Sequence, residues 1–153
     1  MLYCGLRFNS WVENALNYLP NNVLNEINGK IAFTVLDSDA CRVARQICEK
    51  NELIVLSHWI FPKDCISESD KEARYFVFCV LHEVAHVVLK HKSPLFDGLL
   101  VQENEQQESE SNELAIIWFN THIAKLDHLD LPPISIEEIR EQQERNQKRL
   151  SEL

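Results

Sequence analysis

A chain of 153 residues, 45% of them hydrophobic and 25% charged, is long enough to bury a core as a single domain. Its formal net charge of −9 argues against a broad nucleic-acid surface, and no run approaches the ~18 uninterrupted apolar residues of a membrane-spanning helix. Five cysteines, an odd number without C-x-x-C spacing, read as thiols packed in a reducing compartment, and the N-terminus lacks a signal-peptide pattern, so a cytoplasmic protein is expected.

The first thirty residues read as helical. Asn9 or Ser10 can cap a helix running to about Leu19, and Pro20 starts a short second one that Gly29 ends. Residues Ile31–Leu36 are rich in β-formers and close on a turn-prone Asp37-Ser38-Asp39, which predicts a strand. Residues 40–50 have helical periodicity, with Val43, Ala44 and Ile47 on one side and Arg42, Arg45 and Glu49 on the other, and predict a helix. Residues 53–56 form a second predicted strand, followed by an extended stretch to Pro62.

Two overlapping capping boxes, Ser67 with Asp70 and Ser69 with Glu72, announce the central helix. Lys90, His91 and Lys92 complement its C-terminal dipole, and Pro94 with Asp97 and Gly98 closes it. A polar linker is expected next, then a second strongly apolar helix over about residues 108–126. Beyond Pro132 and Pro133, Ser135 and Glu138 form a further capping box. The helix they start has only a thin apolar stripe of Ile136, Ile139, Leu150 and Leu153. The organisation expected is a compact domain over residues 1–130 and a polar helical tail over residues 131–153. Alone that tail helix is marginal, and fraying, packing on the body and docking to a partner all stay open.

The chemistry is concentrated in the central helix. Between Tyr75 and Leu89 the chain reads YFVFCVLHEVAHVVL, and its only ionisable groups besides Tyr75 and Cys79 are His82, Glu83 and His86, an H-E-x-x-H motif. A helix that is apolar all round is buried, and isolated buried charge is costly. A divalent metal satisfies all three groups. His82 and His86, spaced i, i+4, project from one face and can share an ion, while Glu83, about 100° around the helix, stands beside it as a general base for water. The bland alternative is a pair of core histidines hydrogen-bonded to backbone or to each other. Cys79, one turn before His82, reads as a packed thiol.

Two histidines require a third ligand. His91 does not fit, because it lies five residues after His86 rather than six and Leu89 stands where the metzincin pattern has glycine. The second helix opens with Glu108-Ser109-Glu110-Ser111-Asn112-Glu113-Leu114-Ala115. An H-E-x-x-H helix, a spacer of some twenty residues and E-x-E-x-N-x-x-A opening an apolar helix resemble the ImmA/IrrE family of zinc metallopeptidases. The segment HEVAHVVLKH is similar to that family's H-E-x-x-H-x-x-L-x-H run. The resemblance covers about residues 53–120. It departs at Ser111, where alanine is usual, and at Leu114, where an aromatic residue is usual.

The resemblance implies an α+β fold with a zincin-like core. A small antiparallel or mixed sheet would pack on the H-E-x-x-H helix beside a second buried helix. It implies Zn2+ held by His82, His86 and Glu108, with Asn112 steadying a ligand from behind; Glu113 is the alternative third ligand, and Glu110 also remains open. It further implies a metalloendopeptidase using Glu83 as base, with an extended peptide pairing to an edge strand drawn from residues 53–56 or Ile31–Leu36. Substrates would be proteins, with transcriptional repressors the class cut by relatives, and neither nucleic acid nor membrane would be bound directly. An oxyanion donor could come from His58, Tyr75, His91 or His122. Two other readings compete: a non-catalytic, metal-stabilised protein-binding module, and a zinc hydrolase with a non-peptide substrate.

Overall fold

A computed structural model describes residues 2–3, 6–37, 41–48, 51–63, 70–93 and 98–152. The fold is α+β. The described residues form strands β1 (Leu2–Tyr3), β2 (Ile31–Leu36), β3 (Arg42–Cys48) and β4 (Asn51–Ser57), and helices α1 (Leu6–Leu16), α2 (Asn21–Ile27), α3 (Lys71–Val88), α4 (Val101–Ile123) and α5 (Ile136–Ser151).

The sheet order is β1-β2-β4-β3. β1 and β2 pair in parallel, as do β2 and β4, and β3 closes the edge antiparallel to β4. The sheet is therefore mixed, with parallel pairing in its interior, and the purely antiparallel form of the expectation does not hold. α1 and α2 lie between the parallel strands β1 and β2, as a crossover connection requires. Gly29, at φ 72°, supplies the left-handed turn from α2 into β2. Along β2, Ile31 and Phe33 are buried while Ala32 and Thr34 are half-buried, the alternation of a strand with one face on the core. β4 is central and buries Ile54, Val55, Leu56 and Ser57 in succession.

Several boundaries differ from the expected ones. α1 begins at Leu6, so Asn9 and Ser10 lie inside it rather than at its cap, and it stops at Leu16 rather than Leu19. Of the helix predicted over residues 40–50, Arg42–Cys48 is strand β3, whose Val43 pairs with Ile54 and whose Cys48 pairs with Asn51, and residues 40, 49 and 50 lie outside the described residues. A ladder to the neighbouring strand satisfies backbone groups that an eleven-residue helical pattern satisfies only marginally. The second helix starts at Val101 rather than near residue 108, and it ends at Ile123. The expected polar linker is its first two turns. Its Leu100 N–H donates to the Glu103 carboxylate 3.2 Å away, and Gln106 donates to Glu110 one turn later at 2.8 Å.

α3 is apolar all round because it is surrounded. It packs against α1, α4, α5 and the sheet, burying Phe76, Val80, Leu81, Val84 and Ala85 among others. Asp70 is its cap, accepting from the Glu72 and Ala73 N–H groups. Ser67 and Ser69 lie outside the described residues, as do Pro94 and Asp97. α3 ends at Val88, and Lys90 takes a left-handed conformation at φ 56°.

The C-terminal segment is clasped to the body. Asn120 of α4 accepts from the Ile134 N–H and donates to its carbonyl. Ser135 caps α5 as expected, accepting from the Glu138 N–H. Ile139 is buried, and Arg74 of α3 grips Glu138 through two hydrogen bonds of 2.8 and 3.2 Å. No helix among the described residues is long and apolar enough to cross a membrane.

Candidate metal centre

α3 presents His82 and His86 one turn apart, and α4 crosses so that Glu108 faces both. The two Nε2 atoms are 3.1 Å apart. Glu108 sets Oε2 3.3 Å from His82 Nε2 and Oε1 3.5 Å from His86 Nε2. These three residues form a group that could hold a metal ion, with ligand atoms all within 4.8 Å of one another. The spacing itself tests the fit. Bonds of 2.0–2.1 Å to a tetrahedral ion place ligand atoms about 3.3–3.4 Å apart, close to the separations found here.

The local electrostatics follow from geometry. Burial opposes charging His82, but the Glu108 hydrogen bond, with Glu83 and Asn112, outweighs it and holds His82 above the ordinary imidazole range. Glu108 is held below the usual carboxylate range, chiefly by its hydrogen bond to His82. Glu83 is 5% exposed, and burial pushes its pKa up to about 7 against the opposing pull of His82. Glu83 stays outside the three-ligand group and lines the cleft beside it.

The sequence candidates divide cleanly by position. Glu108 stands with the histidines and Asn112 lies against His82, whereas Glu113 is exposed on another face of α4. Glu110 also points elsewhere, its Oε2 lying 3.1 Å from His91 Nε2. His91 is 7% exposed and borders the smaller of the two cavities flanking the group, so it is more than a partner of the helix dipole. Its Nδ1 lies 3.0 Å from His86 Nδ1 and 3.3 Å from the Ser111 hydroxyl. Among the oxyanion candidates, Tyr75 lines the cleft; His58 is an exposed partner of Asp37, and His122 stacks on Tyr18. Cys79 is a buried thiol hydrogen-bonded with Tyr75, and burial raises its pKa.

Cavities open on both sides of the group. One of about 360 Å3 lies between Trp59 and Ile60 on one wall and α5 on the other. A smaller one of about 120 Å3 extends past His91, Asn104 and Gln107. Cys41 borders both, and Val43 of β3 borders the smaller. The strand beside the site is thus β3. Of the strands expected to offer an edge, residues 53–56 lie in β4 with ladders on both sides, and Ile31–Leu36 is covered on its outer side by β1 at Ala32 and Phe33.

Sequence reasoning missed the α5 wall, where Gln143, Asn146, Gln147 and Leu150 face the larger cavity. Their i, i+3, i+4, i+7 spacing puts them on one helical face, a signal present in the sequence but masked by the polarity of three of them. A scan of protein-family models finds no match to this chain, and neither curated proteins nor solved structures match it.

Proposed function

We propose that the chain is a zinc-dependent metallopeptidase with a zincin-like, ImmA/IrrE-like core. The ion would be held by His82, His86 and Glu108, and the substrate would be a protein segment, with a transcriptional regulator as the class of target. The observation that carries the reading is the pairing of a three-ligand group with a separate buried carboxylate. His82, His86 and Glu108 have the spacing of a metal site, while Glu83 faces the adjoining cleft without joining them. Three protein ligands with an open position suit catalysis, whereas structural zinc sites are usually closed by four. Two imidazoles and a carboxylate suit zinc among the common divalent ions.

Zinc in such a site supplies acidification of water and polarisation of a carbonyl. The other roles fall to the chain. Burial makes Glu83 a stronger base than a solvated carboxylate, able to accept a proton near neutral pH and return it to the leaving amine. Asn112, which lies against His82, would help hold its ring in place. β3, paired on one side only among the described residues, offers its free edge to an extended peptide, and its neighbour Cys41 marks the line along both cavities. The cytoplasm is the compartment this reading expects.

Glu83→Gln separates turnover from simple metal binding. The variant is expected to retain zinc and fold while cleavage of a proteome-derived peptide library, read by mass spectrometry, falls at least about 100-fold. Wild-type levels of zinc-dependent cleavage by Glu83→Gln would contradict the mechanism.

A further inference from the structure

His91 and Glu110 have no part in the three-ligand group, yet they form a hydrogen-bonded line that ends on one of its members. Glu110 Oε2 is 3.1 Å from His91 Nε2, and His91 Nδ1 is 3.0 Å from His86 Nδ1. We infer that Glu110 and His91 are positioning residues that fix His86 in the one neutral tautomer able to bind metal through Nε2, so that this ligand nitrogen is set before an ion arrives. The inference rests on the metal-centre reading above and adds two residues to it.

The direction of the line follows from its exposed end. A carboxylate accepts and does not donate, so Glu110 requires a proton on His91 Nε2. With that nitrogen protonated, the neutral ring has its lone pair on Nδ1 and can only accept there. At 3.0 Å the facing Nδ1 of His86 must then be the donor, because two lone pairs do not approach so closely. Protonation of His86 at Nδ1 leaves the lone pair on Nε2, 3.1 Å from His82 Nε2, so in the metal-free chain His82 Nε2–H is the donor, shared with the Glu108 carboxylate 3.3 Å away. The opposite polarity would protonate His86 Nε2, block the ligand position and, with His91 neutral, set the lone pair of His91 Nε2 against the Glu110 carboxylate.

The surroundings support this order. Glu110 is held by a 2.8 Å hydrogen bond from Gln106 to its other oxygen, so its acceptor is aimed rather than swinging free. His91 is buried, and the Ser111 hydroxyl, 3.3 Å from its Nδ1, can donate to the same lone pair without reversing the line. His82 differs: its buried Nδ1 has no hydrogen-bond partner among the described residues. Of the two imidazoles, His86 is the one whose ligand nitrogen is set by the protein.

Two measurements on the full chain test the assignment. Long-range 1H–15N correlation spectra of the metal-free protein should show neutral His86 protonated at Nδ1, and Glu110→Ala, a change at a half-exposed side chain, should convert this to a mixture. Competition titration with Zn2+ should show affinity falling about 10–100-fold in His91→Phe, which keeps ring volume without an acceptor. His91→Asn, whose Oδ1 can stand in for the Nδ1 acceptor, should recover most of that loss. A His86 protonated chiefly at Nε2 in the wild type, or equal losses in the Phe and Asn variants, would overturn the inference. If His82→Ala binds Zn2+ as the wild type does, the metal-centre reading fails instead, and the tautomer spectrum still decides the direction of the line.

Discussion

Glu108 and Glu110 stand two residues apart in the same acidic run, yet one meets the histidine pair and the other meets His91. Sequence spacing could name His82, Glu83 and His86 because an i, i+4 pair on one helix needs no knowledge of the rest of the fold. The third member of the candidate group comes from another helix, and which of Glu108, Glu110 and Glu113 meets the histidines depends on the phase with which α4 crosses α3. That phase is a packing property, so the residues alone left three acids open. Cys41 makes a similar point about context. It borders both cavities next to Glu83, where it looks like a second reactive group, but burial pushes its thiol up to about 12. Because the thiolate is the nucleophile, a raised pKa leaves Cys41 inert near neutrality. Iodoacetamide at pH 7.5, followed by peptide mapping, should leave Cys41 unmodified in the folded protein and modify it after unfolding; rapid labelling of the folded chain would contradict this environment.

Among the elements, α3 and the strands β2 and β4 were legible because their apolar patterns are long or flanked by turn residues. β3 and the first turns of α4 were not, for opposite reasons. In β3 a chance 3.6-residue spacing of Val43, Ala44 and Ile47 competed with a hairpin ladder that only the neighbouring strand reveals. In α4 the run from Gln102 to Gln107 contains good helix formers but no apolar face, so periodicity had nothing to register. α5 was predicted as a helix, but its docking was not legible, since the thin stripe of Ile136 and Ile139 is joined by a buried ion pair that the pattern did not reveal. Arg74 is 4% exposed, bonds Glu138 and the Pro132 carbonyl, and lies over the Phe119 ring. Arg74→Ala would strand Glu138, which reaches solvent only at 17% side-chain exposure. A stability loss of about 2–3 kcal/mol by urea unfolding is expected, below the cost of a fully buried pair, along with faster tryptic cleavage within α5. Unchanged stability and an equally resistant α5 would show that the helix is held by other means.

At the scale of the whole molecule, the candidate centre lies where separate parts of the chain converge. α3 contributes His82, Glu83 and His86, α4 Glu108 and Glu110, β3 an edge unpaired among the described residues, and α5 the far wall of the larger cleft. A metal at this junction would tie α3 to α4 and stabilise the fold by linkage, since the unfolded chain does not hold the three ligands together. The most direct test is the zinc content of purified wild-type protein beside Glu108→Ala and Glu113→Ala, each checked for an unchanged fold by circular dichroism. The account predicts about one zinc per chain in the wild type and in Glu113→Ala, with most of it lost in Glu108→Ala. Full zinc in Glu108→Ala, or loss in Glu113→Ala alone, would contradict it.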